Sequence, residues 1–355
     1  YTQQNPGTKL AGIFSGAGKQ VKVTDSDDQV IDQVRTVAQG AIKETYKILL
    51  KRIDKFGVAQ PNINLDEAKG IIQVELAGVT DKERVRKYLQ ASANLQFWEV
   101  YNIGELSTPL QTADKAVSTI IGGGDTSSTS ASANAFFKVI NPINPQEDKN
   151  GRPIFAPSIG SIMLKDTGTF NSYMNMEAVK AAFPADMKFL LGVEEKVEKT
   201  GQRYYPLYAI KMVPGSEKAK LEGEGVEESG QSYDDKGRLS IKMQMTPIGS
   251  KTWARMTADN VNKPIAITLD DIVYSAPNVN GAIEGGNSEI SGNFTIEQAQ
   301  DLANILKSGK TNAPAKIVAE QVVGPTLGKE SVNGGAMAFG ISFLVIFALM
   351  LIYYN

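Results

Sequence analysis

The sequence predicts an α+β fold: a split-βαβ, ferredoxin-like base with an inserted head domain, followed by one transmembrane helix. Three observations predict it. Residues 29–101 read in the order α-β-β-α-β, and residues 239–333 repeat short strands interleaved with helices. Between them, 102–238 interrupt the pattern with low-complexity and proline-rich stretches. After them, 334–355 hold an apolar run with no charged residue. The strands are too short and too closely linked for a doubly wound sheet.

Composition narrows the chemistry. The 355 residues suffice for two or three domains, and the net charge of −2 offers no clustered basic surface for nucleic acid or for charge-driven membrane adhesion. With no cysteine and no histidine, disulfides, thiolate chemistry, a Ser-His-Asp triad and histidine metal sites are excluded. No carboxylate dyad is convincing, so the expectation is no enzyme, no catalytic residue, no cofactor and no metal.

Residues 1–28 form an irregular lead-in with a short strand at Gln20–Val23, and their polar start suggests an origin inside a longer chain. Asp25, Asp27 and Asp28 lack the spacing of a calcium loop and serve as cap and first-turn acids. The helix they open runs from Asp28 to Lys55, with one apolar stripe through Val30, Val34, Val37, Ala41, Ile48 and the aliphatic parts of Thr45 and Arg52, widened by Ile31, Ala38, Ile42, Leu49 and Ile53. Gly57 ends it. A strand follows over Val58–Leu65 with Pro61 at its entry, then a turn at Asp66–Gly70 and a strand over Ile71–Leu76. Thr80 and Glu83 make a capping box for a helix to Ala91, and Leu95–Tyr101 closes the first half.

The inserted region, 102–238, contains the low-complexity run Gly122–Asn134, a helix near Thr169–Phe183 and strands near Lys188–Val193 and Tyr204–Val213. Its two crossings, Tyr101–Ser107 and Gly230–Gly237, are hinge candidates. In the second half the expected elements are strand Leu239–Thr246, helix Gly249–Ala258 and strands Pro264–Leu269, Ile272–Tyr274 and Glu289–Ser291. A helix capped by Thr295 and Gln298 and ended by Gly309 follows, then a last strand over Ala315–Gln321. Gly334–Tyr354 is long enough to span a bilayer, with Tyr353 and Tyr354 at an interface.

Three blocks resemble the SecD family of protein-export membrane proteins. They are RIDKFGVAQPNI with IIQVELAGV, then LDDIVYSAP with ISGNFTIEQAQDLANIL, then VGPTLG before the membrane segment. The matching positions are Gly57, Pro61, Gly78, Asp270, Ser275, Ala276, Pro277, Gly292, Gly324, Pro325 and Gly328. Ile71 and Ala77 depart from the pattern, where arginine and proline are usual. The resemblance implies the large periplasmic region of an inner-membrane subunit, separate from SecF or fused to it, that assists export of unfolded polypeptides using a proton or sodium gradient. Implied partners are SecF, the SecY-SecE-SecG translocon, YidC and YajC. An RND-type exporter of a lipid or small molecule is the other architecture that such porter domains allow.

Other constellations carry less. Gly324–Ser331 is one residue short of a phosphate-binding loop, with Glu330 where a hydroxyl should stand, so it reads as a turn into the membrane helix. Asp270 and Asp271 are adjacent and read as turn residues. Glu222, Glu224, Glu227, Glu228, Asp234 and Asp235 read as a solvated loop. Asn293-Phe294-Thr295 fits a glycosylation acceptor, but Thr295 is taken up as the helix cap. Phe189, Tyr204, Tyr205 and Tyr208 either pack a core or present an apolar surface to an unfolded chain.

Overall fold

The computed structural model describes residues 9–354 except 16–20, 59, 80, 123–133, 145, 148–150, 152, 155, 198–199, 235–236, 292–293, 312–314 and 322–324. The lead-in is not wholly irregular: helix α1 spans Leu10–Phe14, while residues 21–23 form no strand. Helix α2, Asp27–Phe56, is capped by Ser26 rather than by an aspartate. The Ser26 hydroxyl accepts from the Gln29 amide, and the Gln29 side chain accepts from the Ser26 N–H at 2.9 Å. Asp27 and Asp28 occupy the first turn, where the dipole favours them. Gly57 closes the helix at φ 80°.

The expected buried stripe holds only along part of α2. Val30, Thr45, Leu49, Arg52 and Ile53 are buried, but Ile31, Val34 and Val37 are 44%, 38% and 56% exposed. Period alone marks a face, and burial also needs a partner. Toward its C-terminus α2 meets later helices, whereas its first half meets α1. Arg52 departs furthest from expectation, because its guanidinium is buried as well as its stem.

Strands β1 (Asn62–Asp66) and β2 (Ile71–Glu75) pair antiparallel as a separate two-stranded sheet. The hairpin lies along α2: Tyr46 donates to the Ile63 carbonyl at 3.3 Å, and Lys43 meets Glu67 at 3.1 Å. Helix α3 (Lys82–Gln90) is capped by Asp81, which accepts from the Arg84 amide at 3.0 Å. Thr80, the expected cap, lies outside the described residues. Strand β3 follows at Leu95–Val100.

Next come α4 (Ser107–Ile121), α5 (Ala135–Ile140), the two-residue strands β4 (Gln146–Glu147) and β5 (Pro153–Ile154), and β6 (Gly160–Met163). Helices α6 (Thr167–Met174) and α7 (Glu177–Lys180) lead to β7 (Met187–Gly192), β8 (Glu195–Lys196), β9 (Arg203–Lys211) and β10 (Leu221–Glu222). Asp114 of α4 accepts from the Phe136 amide at 2.9 Å, which supplies the start of α5 with an acceptor its own cap residue lacks. The remaining elements are β11 (Val226–Tyr233), β12 (Leu239–Met245), α8 (Pro247–Asp259), β13 (Ile265–Leu269), β14 (Ile272–Ser275), β15 (Asn287–Ser291), α9 (Ile296–Ser308) and α10 (Pro325–Tyr354).

The main sheet runs β10-β3-β13-β14-β7-β9-β6, with β8 added to β9. Within it, β14 and β7 are parallel, and the other described pairings are antiparallel. A further pairing, Glu99↔Lys211 and Val100↔Ile210, joins β3 back to β9. It closes β3, β13, β14, β7 and β9 into a ring. Trp98, Val100, Leu190, Ile210, Ala266 and Val273 form one core cluster along these strands, with the Trp98 indole N–H on Thr268 Oγ1 at 3.0 Å. Alternate residues of the same strands turn outward into two other cores. Leu95, Phe97, Ile265, Ile267 and Leu269 pack with Trp253, Leu302 and Ile305, while Leu207 and Ala209 pack with Leu110, Phe136 and Phe170. This explains why β13 is buried at every position.

The strands read as split-βαβ units are therefore distributed over three sheets. Strands β12 and β15 pair with β11 in a three-stranded sheet, apart from β13 and β14. Strands from 102–238 and strands from the flanking halves share the ring. Neither hinge candidate is an unrestrained linker. Asn102 and Glu105 exchange bonds at 2.9 and 3.0 Å, and Tyr101 donates to Asp186 at 2.8 Å; Gly230 lies inside β11, paired with Lys242.

Residues 315–321 form no strand: Ile317 and Val318 are exposed, and no described strand pairs with them. The chain divides into two units, Tyr1–Ala315 and Lys316–Asn355. In the second, α10 contains Gly334–Tyr353, a segment long and apolar enough to cross a membrane.

One close approach fixes helix α8. A Cβ on Gly249 would lie 2.3 Å from the Gly225 carbonyl oxygen, so α8 and the turn before β11 touch backbone to backbone. Gly249→Ala is expected to cost about 1–3 kcal/mol, the usual toll of overpacking. A shift of the urea midpoint reads it directly, and an unchanged midpoint would contradict the packing.

Candidate functional site: the Arg52–Asp270 node and the aromatic strands

Asp270 and Asp271 form the two-residue connection of the β13–β14 hairpin, with Leu269 opposite Ile272. Both have positive φ, 52° and 63°, as a type I′ turn requires, and aspartate tolerates that region better than most residues. The turn assignment accounts for only half of Asp270. Its carboxylate also accepts from the Ser92 amide at 2.8 Å, the Asn94 amide at 2.9 Å and the Ser92 hydroxyl. It thereby holds the α3–β3 connection, in which Ala93 is strained at φ 60°. Asp271 points elsewhere, to an exposed Lys188 at 3.2 Å.

Beside this loop lies Arg52. Its Nε donates to Ser308 Oγ at 3.1 Å, one terminal nitrogen donates to the Ala91 carbonyl and, at 3.5 Å, to Tyr88 O, and the other reaches Gly309 O at 3.4 Å. Tyr88 returns a bond from its hydroxyl to the Arg52 carbonyl at 3.1 Å. The acceptors sit at the C-terminal ends of α3 and α9, where helix dipoles place negative potential. Burial lowers the Arg52 pKa, while Tyr88 and Asp270 oppose the shift. Arginine suits such a place because its fixed fork reaches several carbonyls at once.

The other matched positions have local roles. Gly57 and Gly78 take φ of 80° and 76°. Pro61 precedes β1, Ser275 pairs with Ile267, Ala276 packs on the ring core, and the Pro277 carbonyl accepts from Ile265 at 3.2 Å. Pro325 begins α10 and Gly328 lies within it. Gly292 and Gly324 lie outside the described residues.

The four aromatic residues do not share one surface. Phe189 opposes Ala209 and packs edge-on against Phe170 and Phe183, at 5.7 and 5.1 Å between ring centres. Tyr208 opposes Leu190 and packs with the ring core. Near the far end of β9, Tyr204 donates to Glu195 and Tyr205 donates to Glu194, the latter at 3.1 Å. Glu194 also meets Arg203 at 3.2 Å. The β8–β9 hairpin thus presents phenols tied to carboxylates, while the two more enclosed rings serve cores.

Two of the buried phenols predict an alkaline limit. Burial pushes Tyr88 and Tyr208 each up to about 12 from the ordinary value near 10. Their contribution to stability is whole below pH about 10, where both states keep the proton. From there to about 12 the unfolded chain loses it first, so stability falls. The melting temperature should drop across that window, and Tyr208→Phe should flatten the drop. An equally steep drop in the variant would remove Tyr208 from the account.

Comparisons with known proteins agree with the blocks read from the sequence. The family model described as SecDF, P1 head subdomain, matches residues 205–313, and that described as Protein translocase subunit SecDF, P1 domain, N-terminal, matches 42–102. The head match takes in β11 to α9 as well as β9, and overlaps the expected head, 102–238, only from residue 205. A protein translocase subunit SecD from Rhodothermus marinus is 29% identical over 378 residues, covering 100% of this chain and 58% of its own length. The SecD subunit of Calditerrivibrio nitroreducens is 29% identical over 376 residues, with 100% and 59% covered. A solved structure of SecDF, a membrane component that enhances protein export, is 19% identical at a TM-score of 0.43, covering 80% of this chain and 94% of that chain.

The chain thus spans a little under three fifths of the curated relatives named here. The alignment with these SecD subunits takes in both its mixed helix-and-sheet unit and its apolar helix. Its similarity is thus to proteins of the SecD type, along its whole length and in both P1 segments.

Proposed function

We propose that this chain is the periplasmic region and first following membrane helix of a SecD subunit that assists the Sec machinery in exporting unfolded polypeptides across the inner membrane. The observation that carries this reading is the alignment of the whole chain with two SecD translocase subunits. The working partners are SecF, separate or fused, the SecY-SecE-SecG translocon, YidC and YajC. A proton or sodium gradient drives the cycle. Residues 334–353 carry no ionisable side chain except Tyr353, so the ion path runs through other membrane segments of the parent protein.

Within this reading, 102–238 act as the head and contact the emerging chain. The β8–β9 hairpin is the best-placed part, because Tyr204 and Tyr205 stand there with rings and hydrogen-bonding phenols together. The exporter alternative is not favoured. Its relatives would be exporters rather than translocase subunits, and a cavity of about 540 Å³ in the sheet unit is bordered by Lys218, Lys220, Arg255 and Asp259 rather than by apolar side chains alone.

A photocrosslinker at Tyr205, with a control at the exposed Lys242 of β12, tests the contact in cells carrying a precursor arrested midway through export. Adducts to the precursor are expected at Tyr205 and not at Lys242. Labelling of neighbouring subunits alone at Tyr205 would leave the head without a substrate role.

A further inference from the structure

Arg52 is fully buried, yet among the described residues every group bonded to it is neutral. Two of its targets, Ser308 and Gly309, are the last residue of α9 and its C-cap, where the chain leaves the helix. The same segment is held a second time. The Thr311 amide donates to the Ser92 carbonyl at 2.8 Å, and the Thr311 hydroxyl donates to the same oxygen at 3.2 Å. Ser92 in turn is fixed by Asp270.

The composition of this segment is unusual for a buried one. Ser308-Gly309-Lys310-Thr311 has no large apolar side chain to anchor it. Ser308 and Thr311 are buried all the same, and polar bonds do the holding. Gly309 has φ 87° and ψ 167°, a conformation essentially confined to glycine, and so provides a pivot. Lys310 adds one long ion pair, to Glu222 at 3.9 Å. Held by a few hydrogen bonds and no apolar anchor, the segment can open without unfolding the sheet unit. Five residues beyond Thr311 the second compact unit begins, at Lys316.

We infer that Ser308–Thr311 is a releasable strap, held shut by Arg52 and Ser92, whose opening lengthens the covalent path from the sheet unit to the apolar helix. Residues 309–311 would add at most about 10 Å when extended, at roughly 3.3 Å per residue. Arg52 is the positioning residue of this strap. The strap goes beyond the translocation reading, and its physical test does not depend on it.

The test is amide exchange on the full-length protein in a detergent-free bilayer mimic. The Thr311 amide is the reporter, because its bond to Ser92 exists only in the closed strap. Exchange at 309–311 is expected to be at least about tenfold faster than in β13, as for a local opening. Arg52→Lys should speed it by a larger factor than it speeds exchange in β13, and Ser308→Ala should do the same more mildly. Protection at 309–311 equal to that of β13, or a uniform change across the protein, overturns the strap.

A lock completes the test. The chain has no cysteine of its own, so Ser92→Cys with Thr311→Cys offers a single disulfide. Its formation, checked by mass, should suppress the fast exchange and lower support of export, with both restored by reductant. An oxidised, bridged protein that supports export undiminished would overturn the strap's working role. If the unmodified protein gave no export support, the translocation reading would fail while the exchange result still stood.

Discussion

Replacing Arg52 with methionine is expected to remove about 3–5 kcal/mol of stability, the scale seen when one member of a buried polar network is deleted. The methionine chain would fill much of the arginine stem's space, so loss of volume is a minor part. The larger cost comes from the groups left behind. The Ala91 and Gly309 carbonyls and the Ser308 hydroxyl would lose a shared donor at a site without exposed surface around the arginine. Lysine retains the charge but offers a point donor where a fork is needed, so Arg52→Lys should recover only part of the loss. Denaturant unfolding of the three proteins gives the ranking arginine, lysine, methionine. Equal stability of all three would show that the carbonyls find other donors.

The second large effect is at Asp270. Alanine there should cost about 4 kcal/mol. Two contributions combine: loss of a charged acceptor for Ser92 and Asn94, at about 1.5–3 kcal/mol per such bond without full additivity, and an alanine forced to φ 52°. Asparagine separates them. It tolerates the same φ and keeps an acceptor oxygen, so Asp270→Asn should lose about half as much. Asp271→Ala shares the turn strain without the buried acceptor role, and should fall well below Asp270→Ala. Near-equality of the two alanine variants would mean that the turn alone matters.

These two residues also mark where the sequence stopped being informative. Period and caps located α2, α3, α8 and α9, because the information for a helix is local: a stripe, a cap, a glycine. The α9 capping box of Thr295 and Gln298 is formed as read. The alternation in Leu239–Met245 likewise marked β12. Strand partners are a different matter. Nothing local tells β3 that it will pair with both β13 and β9, some 170 and 110 residues away respectively. The ring and its shared core were for that reason invisible, and 102–238 read as a detached insertion. The apolar Ile317-Val318 pair suggested a strand at 315–321 for the opposite reason: propensity was present and a partner was not.

The candidate site was legible to a similar depth. The LDDIVYSAP block drew attention to Asp270, and the positive φ values at both aspartates agree with a turn. Its grip on Ser92 and Asn94 comes from a contact 176–178 residues apart in sequence. Arg52 sat in the apolar stripe as an imperfect member, and that mismatch was the available signal. A charged residue on a buried face, in a chain without histidine or cysteine, is worth following to its partners.

The most direct measurement of the central claim is the export rate of a signal-bearing precursor in cells that depend on the parent protein. Pulse-chase processing would compare the intact parent with a version lacking residues 27–311 and with the Arg52→Met variant. The account predicts slowed export for the deletion, and for the variant a loss in proportion to the protein that remains folded. Export kinetics identical in the intact and deleted proteins would contradict it.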